Sequence, residues 1–203
     1  MKKIILASAS PRRVELLAML GLPFEQKISH VPEVGNDRLT PEELARALAL
    51  AKAGNVACME TEGLVIGADT IVLAKGRIMG KPKDHVDAFR MLQELSGTRH
   101  QVISGLAVVD ANTGEERTAH EVTEVVFRRL SQKEIDCYLD TGEPMDKAGA
   151  YGIQGIGSLL VEEIHGCYNN VVGLPLTLLA EMLKDMGLNV WDHIGKEGGY
   201  GKT

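Results

Sequence analysis

Two sets of charged side chains are placed where they could do chemistry. Each member lies at the end of a predicted element or in a loop: the cations are Arg12, Arg13, Lys52 and Lys81, and the acids are Glu33, Asp69 and Asp146. Guanidinium and ammonium groups bind phosphate oxygens, whereas carboxylates hold a divalent metal ion and orient or deprotonate water. Together the two sets indicate hydrolysis of a phosphoanhydride bond.

Asp69 is the carboxylate with the most unusual surroundings. It interrupts the apolar run of residues 64–72, whose density of Val, Ile and Leu predicts a buried strand. Gly67 and Ala68 leave space for a close neighbour, and Asp69 is expected where the strand opens or bends. A buried carboxylate needs a compensating partner, and residues 80–82, one short hairpin later, would bring the Lys81 ammonium to that strand end. Alternatively, Asp69 ends the strand by bonding its own backbone.

A basic turn follows the first predicted strand, residues 3–7. Ser10 and Pro11 predict the start of a helix. Arg12 and Arg13 then lie in its first turn, where the helix dipole disfavours cations. An anion bound to these guanidinium groups, the serine hydroxyls and the backbone N–H groups would explain the arrangement. An exposed basic turn without a ligand is the alternative.

Lys52 lies on a second predicted helix. Residues 40–43 form a capping box with Pro at the first helical position, and the helix should continue to about residue 59. Its apolar stripe is predicted to consist of Leu44, Leu48 and Ala51. Lys52 stands next to this stripe, so its ammonium leans toward the core, although a snorkelling side chain is an equally simple explanation.

The rest of the chain alternates strands and helices without internal repeats. Further strands are predicted over residues 24–28, 101–109, 119–127 and 158–161. Asp84 is expected to cap a helix that points Val86, Phe89, Leu92 and Leu95 inward. The glycine-containing loops 142–155 and 166–175 fit neither the helical nor the strand period, which is typical of functional loops. The pattern predicts a mixed α/β fold with a cleft between two lobes.

Composition excludes several classes of protein. A net charge of −6 argues against a general nucleic-acid surface, and no apolar run is long enough for a membrane span or a signal peptide. Three widely spaced cysteines without a CxxC pair argue against zinc or disulfides and for a reducing, cytoplasmic location. One catalytic domain is expected over residues 1–192, followed by a disordered tail over residues 193–203.

Common catalytic motifs are absent, but six other blocks occur together. The sequence lacks a Walker A loop, HExxH, GxSxG and the Rossmann glycine fingerprint. The blocks span about residues 3–187, and they resemble those of the Maf family of nucleoside triphosphate pyrophosphatases. They are SASPRR at 8–13, GADT at 67–70, GKP at 80–82, LSG at 95–97, the loop at 142–155 and VVGLP at 171–175.

The resemblance implies a fold, a reaction and a set of site residues. The fold would be α/β, a two-lobed mixed-sheet fold with a central cleft, similar to the inosine triphosphate pyrophosphatases. The reaction would cleave a nucleoside triphosphate between its α- and β-phosphates, with Mg²⁺ or Mn²⁺ as cofactor. Asp69 would be the general base and, with Glu33, would bind the metal. The substrate-binding positions would be Ser8, Arg13, Lys52 and Lys81 at the phosphates and Arg12, Thr70 and Gln154 for specificity.

The blocks around Thr70 and Gln154 resemble the dTTP/UTP branch of the family. A Gln amide offers one acceptor and two donors, which match the O4 and N3–H edge shared by thymine and uracil. This implies hydrolysis of dTTP and UTP, or of modified pyrimidine nucleotides, in a pool-cleansing role; a homodimer is left open. The alternatives are the sister branch that favours 7-methyl-GTP and a non-catalytic nucleotide-binding regulator of cell division. The full set of acids argues against a pure binder.

Overall fold

The computed structural model describes residues 1–32 and 38–193. Within these residues the strands are β1 (Ile4–Ala7), β2 (Glu25–Lys27), β3 (Leu64–Ala74), β4 (Arg77–Met79), β5 (Arg99–Asp110), β6 (Glu116–Phe127) and β7 (Val161–His165). The helices are α1 (Pro11–Ala18), α2 (Pro41–Ala57), α3 (His85–Leu95), α4 (Gln132–Leu139), α5 (Tyr168–Val172) and α6 (Leu176–Asp185). Short 3₁₀ turns cover Glu143–Asp146, Ala148–Ala150, Gly155–Leu160 and Val190–Asp192.

The strands of the described residues form one mixed sheet, which confirms the predicted α/β class. Their order is β2-β1-β3-β5-β6-β7, and β4 pairs with β3 outside this path. β1 runs parallel to both β2 and β3, whereas the β3–β4 and β6–β7 pairs are antiparallel. A parallel pair needs a crossover connection, and α1 and α2 lie in the two connections that flank β2.

The chain divides into two compact units. The first contains Met1–Asp69, Gly105–His120 and the chain from Gly173 onward, and the second contains Thr70–Ser104 and Glu121–Val172. The predicted single domain over residues 1–192 stays a prediction. The disordered tail was predicted from His193, and the residues that follow His193 lie outside the described part of the chain.

The core of the first unit rests on small residues. A Cβ atom at Gly67 would lie 2.2 Å from the Ala49 carbonyl oxygen, and one at Gly105 would lie 2.2 Å from that of Ala45. Helix α2 therefore approaches the sheet along an alanine face. The predicted stripe was wrong in part, because Ala51 is exposed and Leu48 only half-buried. Close packing against glycine backbone selects alanine instead of leucine at the contact.

The core of the second unit is built by α3, α4 and the neighbouring strands. Phe127 and Tyr138 are among its largest fully buried side chains, and Leu92 and Leu95 of α3 pack in the same cluster. The capping residue Asp84 was predicted correctly and accepts a hydrogen bond from the Asp87 N–H. The inward prediction for Val86 was wrong, because 79% of this residue is exposed.

Two further predictions about local structure need correction. Ser158–Leu160 belong to a 3₁₀ turn, and the strand begins only at Val161. The Glu143 carboxylate accepts hydrogen bonds from the Ile156 and Gly157 N–H groups, which satisfies the backbone of this turn without a neighbouring strand. The loop at 166–175 contains the short helix α5.

Both predicted capping boxes are confirmed. Thr40 and Glu43 exchange hydrogen bonds at the start of α2, and Ser131 and Glu134 do so at the start of α4. In the described ranges, no helix combines the length and the apolar composition that crossing a bilayer requires.

Candidate active site

Asp69 lies in the middle of β3, not at its end. It is the sixth of the strand's eleven residues, and only 6% of it is exposed. The prediction that it marks a bend was wrong, and so was the alternative that it terminates the strand. The strand continues because its charge is compensated from another element: the Lys52 ammonium donates to Asp69 Oδ1 at 2.6 Å.

Helix α2 delivers Lys52 to this carboxylate. Lys52 directly precedes Ala53 on α2, and this part of the helix lies against β3. A Cβ atom added at Gly67, two residues before Asp69, would be 2.8 Å from the Ala53 backbone N. This close approach buries the lysine, whose side chain is 11% exposed. Snorkelling is therefore the wrong explanation for Lys52. A buried ion pair is weak evidence for stability because desolvation offsets its attraction.

A second cluster forms where β1 ends and α1 begins. Ser10 occupies the N-cap position, as predicted, but among the described residues its side chain makes no capping hydrogen bond. The Ser10 N–H instead donates to Ser8 Oγ at 3.2 Å. Arg13 Nη1 lies 3.5 Å from the same Ser8 oxygen, and Arg13 Nε donates to the Gly173 carbonyl at 2.8 Å. The Arg13 guanidinium is thus oriented by two separate parts of the chain.

Residues that the sequence analysis did not single out support this cluster. Gln26 Nε2 donates to the Ser8 carbonyl at 2.9 Å and joins the turn to β2. Gly173 contributes through its backbone carbonyl, for which a sequence carries no direct signal. Arg12, beside Arg13 in the first turn of α1, is half-buried.

The remaining predicted positions lie in the second unit. Thr70 follows Asp69 on β3, and its hydroxyl oxygen is 2.9 Å from Ser104 Oγ. Lys81 is exposed just after β4, where the Gly149 N–H donates to the Gly80 carbonyl at 3.0 Å. Gln154 is half-buried and directly precedes the Gly155–Leu160 turn.

Buried groups hold the loop that carries Gln154. The Tyr138 hydroxyl accepts a hydrogen bond from the Gly152 N–H at 3.3 Å, and burial raises the pKa of Tyr138 to about 12. Lys147 donates to the Glu143 carbonyl at 2.5 Å and to Asp146 at 2.6 Å. Asp146, a candidate acid from the sequence, therefore pairs with a lysine of its own loop.

The described residues offer few carboxylates to a divalent metal ion. Among the described residues no group of three or more His, Cys, Asp or Glu side chains gathers as a metal site. Glu33, one predicted ligand, lies outside the described residues. Mg²⁺ commonly uses one or two carboxylates and completes its shell with substrate phosphates and water. Asp69 fits that requirement as one such carboxylate, and its Oδ1 also pairs with the Lys52 ammonium.

The structure brings Lys52 together with Asp69, and Ser8 together with Arg13. Thr70 contacts Ser104, a residue that sequence reasoning missed. The sequence signal that could have indicated Ser104 is a lone hydroxyl in the otherwise apolar middle of strand β5. The catalytic, substrate-binding and metal-binding roles themselves stay predictions.

Comparison with known proteins identifies the relatives of this chain. The dTTP/UTP pyrophosphatase of Moorella thermoacetica is 53% identical over 194 residues, which cover 96% of this chain and 100% of that protein. That of Desulforamulus reducens is 50% identical over 190 residues, covering 94% and 100%. Among solved structures, the Staphylococcus aureus Ham1 protein matches with a TM-score of 0.44 and 17% identity, over 62% of this chain and 72% of that chain.

The family description "Maf-like protein" matches residues 3–186, almost the whole described chain. This match includes the turn of Ser8 and Arg13, the buried Lys52–Asp69 pair and the loop of Gln154. The chain belongs to the Maf family.

Proposed function

We propose that this chain is a nucleoside triphosphate pyrophosphatase that hydrolyses dTTP and UTP to the monophosphate and pyrophosphate. Relatives that carry the name dTTP/UTP pyrophosphatase are about half identical to it over their full length. The structural observation that supports the proposal most strongly is the buried Lys52–Asp69 pair at 2.6 Å. The pair places a buried carboxylate beside a compensating ammonium inside a strand, and a carboxylate is one of the side chains that act as general bases.

Asp69 is the general base of the proposed reaction. Its carboxylate would accept a proton from the attacking water as the new P–O bond forms at the α-phosphorus. The leaving group is pyrophosphate, and the bond to its bridging oxygen breaks. Lys52 orients the carboxylate, and its ammonium has three N–H donors, so it can also bind a phosphate oxygen.

The phosphate chain is proposed to bind to Ser8, Arg13 and Lys81. The Gly173 carbonyl and Ser8 Oγ hold the Arg13 guanidinium in place before substrate arrives. Such preorganisation lowers the entropic cost of binding and allows charge-assisted hydrogen bonds to the phosphates. Lys81 is exposed and can reach a ligand as a flexible point charge.

A divalent metal ion, Mg²⁺ or Mn²⁺, is proposed as the cofactor, held by Asp69 and Glu33 together with substrate phosphates. When bound, such an ion stabilises the negative charge that develops on the phosphate oxygens. Asp69 and Lys52 keep their own roles, which are to accept a proton and to orient the carboxylate. Removal of divalent ions with EDTA should abolish turnover, and Mg²⁺ or Mn²⁺ should restore it.

Base selectivity is proposed to depend on Arg12, Thr70 and Gln154. Gln154 precedes a turn whose backbone is held by Glu143, so its amide is presented from an ordered loop. Amide and hydroxyl groups can match the O4 and N3–H edge of thymine and uracil. Hydrolysis of these nucleotides would cleanse the nucleotide pool.

A panel of nucleotides tests the proposal. Pyrophosphate release is measured with dTTP, UTP, CTP, ATP, GTP and 7-methyl-GTP in the presence of Mg²⁺ or Mn²⁺. Release that is fastest with dTTP and UTP is expected. If GTP or 7-methyl-GTP proved best, the chain would be a pyrophosphatase of the sister branch. Tight binding without pyrophosphate release from any triphosphate would favour the regulator instead.

A further inference from the structure

Ser104 is a wholly buried hydroxyl that contacts Thr70. It lies on β5, and its Oγ is 2.9 Å from Thr70 Oγ1 and 3.1 Å from the backbone carbonyl oxygen of Asn170. All three residues belong to the second unit. The carbonyl belongs to the short helix α5, whose carbonyl groups need partners from outside the helix.

The two contacts of Ser104 determine where the protons lie. A hydroxyl has a single proton to donate and two lone pairs that accept. The Asn170 carbonyl can only accept, so the Ser104 proton is committed to it. With the Ser104 proton on that carbonyl, the contact between the two hydroxyls takes the Thr70 proton, which Thr70 donates to Ser104. In this arrangement the Thr70 proton is not offered to a ligand, whereas the Thr70 oxygen can accept a hydrogen bond from one.

The Asn170 end of this series of hydrogen bonds is held by other buried groups. Asn170 Nδ2 donates to the Val102 carbonyl at 3.0 Å and to Thr123 Oγ1 at 2.9 Å. Thr123 Oγ1 in turn donates to the Cys167 carbonyl and accepts from the Cys167 N–H. Ser104, Thr123 and Asn170 are each 0% exposed. The Asn170 carbonyl therefore stays in place to receive the Ser104 proton.

We propose that Ser104 is a positioning residue that keeps the Thr70 hydroxyl as a hydrogen-bond acceptor, so that Thr70 accepts the N3–H of a uracil or thymine base. The inference rests on the proposed function and refines it. The imide N–H is the only donor on that edge of either base, and the two carbonyl groups beside it are acceptors. Gln154 then contributes its amide N–H groups to a base carbonyl, and Thr70 takes the N3 proton.

Cytosine is disfavoured by the same arrangement. Its N3 carries no proton, so it would present a lone pair to a Thr70 oxygen whose own proton is already donated. Two acceptors facing each other leave both groups without a hydrogen bond, which costs roughly tenfold or more in kcat/KM. Without Ser104, the Thr70 hydroxyl could turn and donate to cytosine.

The test is a double-mutant cycle on the UTP/CTP ratio of kcat/KM, measured by pyrophosphate release. Ser104→Ala should lower this ratio at least about fivefold, because the Thr70 proton is released for cytosine. Thr70→Val, which has a similar volume and no hydroxyl, should also lower it. In the Thr70→Val background, adding Ser104→Ala should leave the ratio unchanged, since no hydroxyl remains to be oriented. Thermal unfolding accompanies each variant.

The outcomes separate this inference from the proposed function. Equal losses with UTP and CTP in Ser104→Ala, or an effect that persists in the Thr70→Val background, would show a purely structural role and overturn it. If Ser104→Ala does not fold, Ser104→Cys replaces it, because a thiol is a weaker donor and acceptor of similar size. An unchanged UTP/CTP ratio in Thr70→Val alone also overturns the inference. Wild-type protein that releases no pyrophosphate from UTP or dTTP would overturn the proposed function and this inference with it.

Discussion

At the scale of single residues, substitutions at the Lys52–Asp69 pair are expected to affect both turnover and stability. Both side chains are about nine-tenths buried and lie 2.6 Å apart. Removing one charge from such a pair leaves the other uncompensated in a poorly solvated place, whereas removing both charges need not destabilise the fold. Function and stability can therefore be separated at this pair by comparing single and double substitutions.

Asp69→Asn should abolish most of the turnover. Asn has nearly the same shape but cannot take a proton from water, and general-base catalysis is worth about 10² to 10⁴ in rate. Pyrophosphate release with dTTP is the measurement, with circular dichroism to verify the fold. A variant that keeps more than roughly a tenth of the wild-type kcat would rule out Asp69 as the base.

The double variant Asp69→Asn, Lys52→Met should be more stable than Asp69→Asn alone and equally inactive. The added change removes the buried ammonium that the first one left without its carboxylate. The stability gained should be on the order of 1 kcal/mol or more. Urea unfolding of both proteins measures it. If the double variant were less stable than the single one, Lys52 would be held mainly by contacts other than Asp69.

The proposed phosphate contacts can be compared with an ordinary surface charge. Arg13→Ala and Lys81→Ala should each lower kcat/KM for dTTP about ten- to a hundredfold, because each loses a charge-assisted hydrogen bond. Lys184 is an exposed lysine near the end of α6, and Lys184→Ala is the control. Equal losses in Lys81→Ala and Lys184→Ala would mean that Lys81 is only a surface charge.

His100 should make the fold sensitive to acid. It is 3% exposed, its ring packs edge-on against Phe127 and Tyr151, and burial lowers its pKa to about 4. The unfolded chain binds this proton near pH 6.5, so stability falls as the pH drops from about 6.5 to about 4, by on the order of 3 kcal/mol. Urea unfolding across this pH range measures the free energy of unfolding of wild type and of His100→Gln. The wild type should lose more stability than the variant as the pH falls, and an equal pH dependence in both proteins would contradict the prediction.

At the scale of elements, the alanine face of α2 decides whether Lys52 reaches Asp69. Gly67→Ala should destabilise the protein by about 1–3 kcal/mol or more, because the new Cβ would overlap the Ala49 carbonyl and force the helix away. Turnover should fall as well. The matched control is Gly54→Ala on α2, where an added Cβ atom meets nothing within 4 Å.

Gly54→Ala should stabilise the fold by roughly 0.5–1 kcal/mol, since alanine loses less entropy in a helix. Urea unfolding of the two variants side by side gives both values. Similar behaviour of Gly54→Ala and Gly67→Ala would show that the helix can shift without cost.

At the scale of the whole molecule, the proposed site residues come from segments far apart in the chain. The boundary between the two units falls between Asp69 and Thr70, so neighbours on one strand belong to different units. dTTP and UTP should differ less than about tenfold in kcat/KM, because they share the N3–H and O4 edge. CTP and ATP should be far poorer substrates, and a best rate with ATP would contradict the assignment of Thr70 and Gln154.

The sequence alone determined what depends on neighbouring residues. The α/β class, the strand around Asp69 and the capping boxes at Thr40 and Ser131 follow from local apolar patterns and local hydrogen bonds. The family resemblance named Asp69 and Lys52 separately. It did not say that they touch.

Only the tertiary structure decided contacts between distant segments. The buried face of α2 differs from the predicted stripe because Gly67 and Gly105 admit alanine at the contact, and this turns Lys52 inward. The role proposed for Ser104 depends on β5, which places its hydroxyl between Thr70 and the Asn170 carbonyl. Such pairings depend on distances in space between residues separated by 17 to 66 positions, which no local pattern encodes.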